Sequence, residues 1–299
     1  MASRSERVLV TGARGFTGRY LCEHLRASGY EVVGLVESPL AGANEVHANL
    51  LDSAATARAV EQVQPDRVIH LAAVSFVAHD DVEAVYRVNL LGSLTLLRAL
   101  AAQATGLRCV ILASSANVYG KVKGAEIEES MPCAPTNHYA ASKLAMEHMA
   151  STFGDTLPIV ITRPFNYTGP GQPEHFLVPK IVGHFQRKAS AIELGNIDVT
   201  REFMDVRTVV DVYRRLLACP AALGETVNIC LGRSISLRQV IALLEVETGH
   251  RIEIRVNPHL VRAREVDCLV GSPQKLVSLI GQVPEIPFAA TLVDMLAHM

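Results

Sequence analysis

Val8-Leu9-Val10-Thr11-Gly12-Ala13-Arg14-Gly15-Phe16-Thr17-Gly18 runs from an apolar stretch through glycines spaced Gly-x-x-Gly-x-x-Gly into a helical pattern. Glycines so placed permit a tight strand-to-helix turn and let the backbone approach a pyrophosphate at the positive end of the helix. An ordinary turn also uses glycine, so the weight comes from the pattern of the chain beyond Gly18. Short β-branched runs alternate with longer helical patterns through the first half of the chain, the mark of parallel strands joined by crossover helices. Strands are expected at 7–11, 31–36, 67–71, 108–113 and 158–162, nearly all apolar inside, as strands buried on both faces are. Helical spacing marks 17–27, 54–63, 82–104 and 138–153.

Beyond Arg163 the pattern breaks at Pro164, Gly169, Pro170, Gly171, Pro173 and Pro179. A helix returns at 208–218, a strand at 226–230 and a helix at 237–248. The expected class is α/β: a doubly wound parallel sheet of Rossmann type over 1–165, with a return segment near 206–232. A smaller, discontinuous C-terminal lobe, 166–205 and 233–299, is expected to bind substrate.

The 299 residues are 49% hydrophobic, enough for one large core. Charged residues make up 19% with a net charge of −2, which gives no reason to expect a nucleic-acid surface or a polybasic membrane anchor. Cys22, Cys109, Cys133, Cys219, Cys230 and Cys268 form no Cys-x-x-Cys pair, so neither a metal site nor a disulfide framework is expected. The start lacks the apolar run of a signal peptide, and no stretch reaches the roughly 18 apolar residues that span a bilayer. A soluble cytoplasmic protein is expected.

Tyr139 and Lys143 stand four apart in Asn137-His138-Tyr139-Ala140-Ala141-Ser142-Lys143. On a helix they share a face, so an ammonium beside the phenol is expected to lower its pKa and let it pass a proton at neutral pH. Glu37, closing the second strand, is placed to hydrogen-bond a ribose diol and repel a 2′-phosphate, whereas Arg14 is placed to attract one. NAD(H) is favoured over NADP(H).

These residues occur in order with His70-Leu71-Ala72-Ala73, with Asn89 in Val88-Asn89-Leu90-Leu91-Gly92, and with Ser114-Ser115-Ala116-Asn117-Val118-Tyr119-Gly120. The combination resembles the extended short-chain dehydrogenase/reductase family over essentially the whole chain. The resemblance implies that Tyr139 donates or accepts the proton, that Lys143 lowers its pKa and binds the nicotinamide ribose, and that Ser115 hydrogen-bonds the reacting oxygen. Ser114 takes that role if the register is one residue off. It also implies cofactor contacts from Gly12, Arg14, Gly15, Phe16, Thr17, Gly18 and Glu37, with Asn49 and Leu50 around adenine. Leu71, Ala72 and Ala73 complete that set, and Asn89 supports the active-site backbone. His70 and His138 read as structural, and Cys109 as a small core residue.

The second half resembles nucleotide-sugar enzymes of the same family. Thr162-Arg163-Pro164-Phe165-Asn166-Tyr167-Thr168-Gly169 is similar to the segment that places an Asn, here Asn166, on the substrate. The stretch 195–206 and the motif Arg262-Ala263-Arg264-Glu265 resemble GDP-4-keto-6-deoxymannose reductases and their dehydratase relatives. By that likeness Arg201 and Arg262 clamp a diphosphate and Glu265 accepts from the nucleotide ribose, with Ser75 and Lys180 also at the substrate. Dehydratases of the family carry an acidic pair where Ala116 and Asn117 stand, and neither of these can act as general acid or base. The expected activity is reduction of a 4-keto-6-deoxyhexose, GDP-linked, at C4 with NAD(P)H. An NAD-dependent 4-epimerase is the enzymatic rival. A non-catalytic dinucleotide sensor is the other alternative, and intact Ser115, Tyr139 and Lys143 argue against it. A homodimer is expected through the helices at 82–104 and 138–153.

Overall fold

β1 (Arg7–Thr11) is apolar throughout its interior because it is covered twice. Val8 and Val10 are buried in the cluster on one face of a sheet and Leu9 in the cluster on the other. The computed structural model describes residues 5–38, 42–75, 81–122, 126–197, 199–258 and 268–298. After β1 come α1 (Phe16–Ala27), β2 (Glu31–Val36), β3 (Glu45–His47), α2 (Ser53–Val63), β4 (Arg67–His70), α3 (Val82–Tyr86), α4 (Ser93–Gln103) and β5 (Cys109–Ala113). α5 (His138–Ser151), β6 (Ile159–Pro164), β7 (Tyr167–Thr168), α6 (Leu177–Gln186), β8 (Ala191–Leu194), β9 (Thr200–Arg201) and β10 (Met204–Asp205) come next. The chain continues through α7 (Val206–Leu217), β11 (Thr226–Ile229), β12 (Ile235–Ser236), α8 (Leu237–Thr248), β13 (Glu253–Val256), β14 (Cys268–Leu269), α9 (Gln274–Ile280) and α10 (Phe288–His298).

Seven strands form one parallel sheet in the order β11-β6-β5-β4-β1-β2-β3. Crossovers run one way from β1 to β3 and the other way from β4 onward, so the order reverses between β1 and β4. The crevice at the carboxyl ends of those two strands is where a doubly wound sheet binds its ligand. α1 and α7 cover one face, where Leu21, Leu25, Val209 and Tyr213 are buried. Helices α2, α4 and α5 cover the other through Val60, Leu96, Leu97 and Met146.

The helix expected over 82–104 is interrupted. Between α3 and α4, Arg87–Gly92 is wound as a π-helix, and Asn89 and Gly92 are buried in it. Ser93 Oγ donates to the Asn89 carbonyl at 2.6 Å, which helps hold the wider turn. Such segments concentrate at functional sites.

Outside the sheet, α6, α8 and α10 pack around Val178, Ile181, Phe185, Val240, Leu244, Leu292 and Met295. Short pairings, β8 with β13 and β9 with both β12 and β14, edge this cluster. No helix among the described residues is long and apolar enough to cross a membrane, and they hold no metal-binding cluster of His, Cys, Asp and Glu.

Candidate active site

The turn from β1 into α1 is shaped by what its glycines leave out. Gly12 has φ +69°, and a Cβ on it would lie 2.9 Å from Ala72 N, so β1 and β4 meet there without a side chain between them. A Cβ on Gly18 would lie 2.1 Å from Gly12 O, so only glycine lets α1 pack onto the turn. Gly15 N donates to Gly12 O at 2.9 Å, closing the loop. No side chain caps α1 and no acid lies in its first turn, which suits the binding of an anionic pyrophosphate at its positive end. Thr17 Oγ1 hydrogen-bonds Tyr167 Oη at 2.8 Å, and the Phe16 and Tyr167 rings stack 6.4 Å apart, joining this turn to β7.

Glu37 is exposed at the end of β2 and accepts from Asn49 Nδ2 at 3.3 Å. Leu50 is buried in the core beside α2. Leu71, Ala72 and Ala73 come after β4 with partial exposure; Leu71 N donates to Thr11 O and Ala72 N to Thr11 Oγ1. Arg14 is paired side-on with Glu45, a residue with no signal of its own in the sequence.

Asn137 caps α5 by accepting from Ala140 N at 2.8 Å, and this orients the next turns with Tyr139 and Lys143 one above the other. The Ser115 hydroxyl stands toward the Tyr139 phenol and favours its ionised form. Ser115 Oγ itself accepts from Asn117 N at 3.2 Å and Asn117 Nδ2 at 3.0 Å, so its proton remains for donation. Ser114 donates to the Glu147 carboxylate, so Ser115 is the member of the pair that faces the phenol.

Lys143, almost fully buried, donates to Ala113 O at 2.7 Å, and burial lowers its pKa to about 8 against the opposing pull of Glu147. The phenol moves opposite to the sequence expectation. Burial pushes Tyr139 up to about 12, countered in part by Ser115 and reinforced by Tyr167. Desolvation outweighs attraction here, and the ammonium is bonded to a backbone carbonyl.

Behind these groups lies a hydrogen-bond chain that determines its own proton positions. Ser93 gives its proton to Asn89 O, so it accepts from His70 Nε2 at 2.8 Å. His70 Nδ1 therefore accepts from Thr11 Oγ1 at 2.6 Å, and burial, reinforced by Lys143, keeps the imidazole neutral with its pKa lowered to about 3. The Asn89 amide bonds Val74 N, Val74 O and Ser142 Oγ, and Ser142 donates to Tyr139 O at 2.7 Å. The end of β1, the π-turn and α5 are thus fastened together. A second cluster holds β5, β6 and α5. Arg163 grips Glu147 at 3.0 and 2.6 Å and donates to Tyr119 Oη at 2.8 Å, with all three residues buried. Of these, Ser142 and Glu147 had a local signal, their spacing from Tyr139 and Lys143 along α5. Thr11, Arg163 and Tyr167 stand inside motifs whose other members carried the signal, and Ser93 had none.

Of the residues expected at the substrate, Asn166 Nδ2 is buried with no hydrogen-bond partner among the described residues. Arg201 is half-buried on β9, with NH1 donating to Thr200 O at 2.9 Å. Lys180 donates instead to the Glu193 carbonyl at 2.8 Å, and Ser75 is exposed. Arg262 and Glu265 lie outside the described residues.

The sequence profile of the NAD dependent epimerase/dehydratase family matches residues 8–230. The chain belongs to that family. It is therefore an NAD(P)-dependent enzyme of the extended short-chain dehydrogenase/reductase type. It is 35% identical over 277 residues to GDP-6-deoxy-D-talose 4-dehydrogenase of Aggregatibacter actinomycetemcomitans, covering 92% of this chain and 91% of that one. It is 34% identical to GDP-6-deoxy-D-mannose reductase of Pseudomonas aeruginosa, covering 96% and 95%. Among solved structures, a P. aeruginosa protein in complex with NADPH superimposes with a TM-score of 0.86 at 32% identity, covering 98% and 97%.

Proposed function

We propose that the protein is a nucleotide-sugar 4-keto reductase acting on a GDP-linked 4-keto-6-deoxyhexose with NAD(H) preferred. The observation that carries this reading lies at the end of β5. Ser115 lies beside the Tyr139 phenol, while the next two positions hold Ala116, buried, and Asn117, whose amide is committed to Ser115. This supports a carbonyl-reducing pair with no acid at positions 116 and 117 to expel water from a sugar, which disfavours a dehydratase.

Gly12, Gly15 and Gly18 with the uncapped end of α1 fit the pyrophosphate of a dinucleotide, Glu37 its adenosine ribose and Lys143 its nicotinamide ribose. A reduced nicotinamide in this site supplies hydride to a carbonyl carbon. Tyr139, raised to about 12, starts protonated at neutral pH and gives its proton to the reacting oxygen. Ser115 donates its remaining proton to the same oxygen, and two fixed hydroxyls stabilise the charge that grows there. The buried Asn166 amide needs an acceptor, which a sugar or phosphate oxygen supplies. Arg201 and Arg262 are assigned to the diphosphate and Glu265 to the nucleotide ribose. Residues 166–205 and 233–299 make up the substrate lobe. We read the enzyme as a cytoplasmic homodimer built on the helices over 82–104 and 138–153, a reading that a monomer mass in sedimentation velocity would remove.

The test is oxidation of NADH, and of NADPH in parallel, by purified protein with GDP-4-keto-6-deoxymannose. Turnover of either cofactor supports a reductase. No oxidation, with tightly bound NAD released on denaturation and sugars interconverted, transfers the assignment to a 4-epimerase.

A further inference from the structure

Glu45 lies on β3 beside Gly34 of β2 and takes the Arg14 guanidinium side-on, Nε to Oε1 at 2.9 Å and NH2 to Oε2 at 2.6 Å. Gly42 N donates to the same Oε2 at 2.6 Å, fixing the carboxylate from its own loop. Arg14 before all else, then this backbone donor, holds the Glu45 carboxyl down at about 2. Gly34 makes the approach possible: a Cβ there would stand 2.7 Å from Ala13 Cβ and 3.5 Å from Glu45 Cγ. The glycine turn therefore settles against β2, within reach of β3.

A guanidinium edge occupied by a bidentate carboxylate is not available to a phosphate. The second carboxylate of the neighbourhood, Glu37, stands at the end of β2, where the adenosine ribose lies in this fold. Arg19, Arg26 and Glu23 line the same crevice, with Arg26 also favouring the ionised Glu45, so Glu37 and Glu45 work against a 2′-phosphate chiefly by keeping Arg14 paired and adding their charge. We propose that Glu45 is the residue that sets cofactor selectivity: it holds Arg14 away from a 2′-phosphate and adds its own charge to that of Glu37. The proposal rests on the NAD(H) preference stated above and assigns it to a residue outside the β2 terminus.

The test is direct binding, by fluorescence titration with NADH and NADPH, of wild type, Glu45→Gln, Glu45→Gln/Arg14→Met and Glu37→Gln. Wild type is expected to bind NADH more tightly. In Glu45→Gln the NADPH-to-NADH affinity ratio is expected to rise about tenfold to a hundredfold, the range of one charge-assisted contact, and to fall back in the double variant. Glu45→Ser repeats the test if the Gln variant does not fold. An unchanged ratio in a folded Glu45 variant, or a rise that persists without Arg14, overturns the proposal. If wild type prefers NADH and only Glu37→Gln shifts the ratio, Glu45 loses its role while the preference stands. A wild type preferring NADPH overturns both.

Discussion

Replacing Lys143 by Met is expected to make the folded protein more stable while abolishing turnover. The ammonium is 2% exposed, and burial pulls its pKa from the ordinary 10.5 to about 8. Below about pH 8 the lysine is charged in both folded and unfolded chains, and the fold bears the whole desolvation cost. Between about 8 and 10.5 the unfolded chain binds more protons than the folded one, so stability rises with pH through that window. A shift of this size corresponds to about 3 kcal/mol at neutral pH. Met removes the charge but leaves the Ala113 carbonyl without its donor, a loss of about 1 kcal/mol. The net gain is about 2 kcal/mol, or about 4 °C in Tm for a chain of this size. Thermal unfolding followed by circular dichroism at neutral pH and again near pH 10.5 measures it, with the gap closing at the higher pH. A variant that melts below wild type at neutral pH, or a gap that does not change with pH, refutes the reasoning.

Tyr139→Phe is expected to lower turnover by about 10²–10⁴ with NADH affinity retained in a fluorescence titration, because it deletes the proton donor and leaves the ring. Near-normal turnover removes Tyr139 from the chemistry. Glu147→Gln leaves the Arg163 guanidinium buried without its charged partner and is expected to cost about 3–5 kcal/mol. Urea unfolding of this variant and of Glu147→Met/Arg163→Met separates the pair from its parts: the double variant is expected to recover some of the loss, and equal stability of Glu147→Gln and wild type contradicts the burial argument.

The sheet was legible because its signals are local. Five expected strands fall within a residue or two of β1, β2, β4, β5 and β6, since strands covered on both faces must be apolar throughout. The glycine turn and the shared helix face of Tyr139 and Lys143 were readable for a similar reason. Each depends on spacing within one turn or one helix, and the order of motifs along the chain identified the family. The interruption of the helix at Arg87–Gly92 was not readable, because it comes with contacts of Asn89 to Val74 and Ser142, distant in sequence. The sequence showed an asparagine in an apolar helix but not what it bonds.

The sequence by itself determined a doubly wound sheet with a nucleotide turn and a tyrosine–lysine pair, since periodicity and short spacings survive in one dimension. Only the tertiary structure decided the state of those groups. Spacing placed Lys143 beside Tyr139, and burial then raised the phenol to about 12 and lowered the ammonium to about 8. Sequence placed Arg14 to attract a phosphate, and only the fold shows that β3 sets Glu45, 31 residues away, against its guanidinium. Desolvation and long-range pairing depend on everything that surrounds a group in space, which the order of residues along a chain does not record.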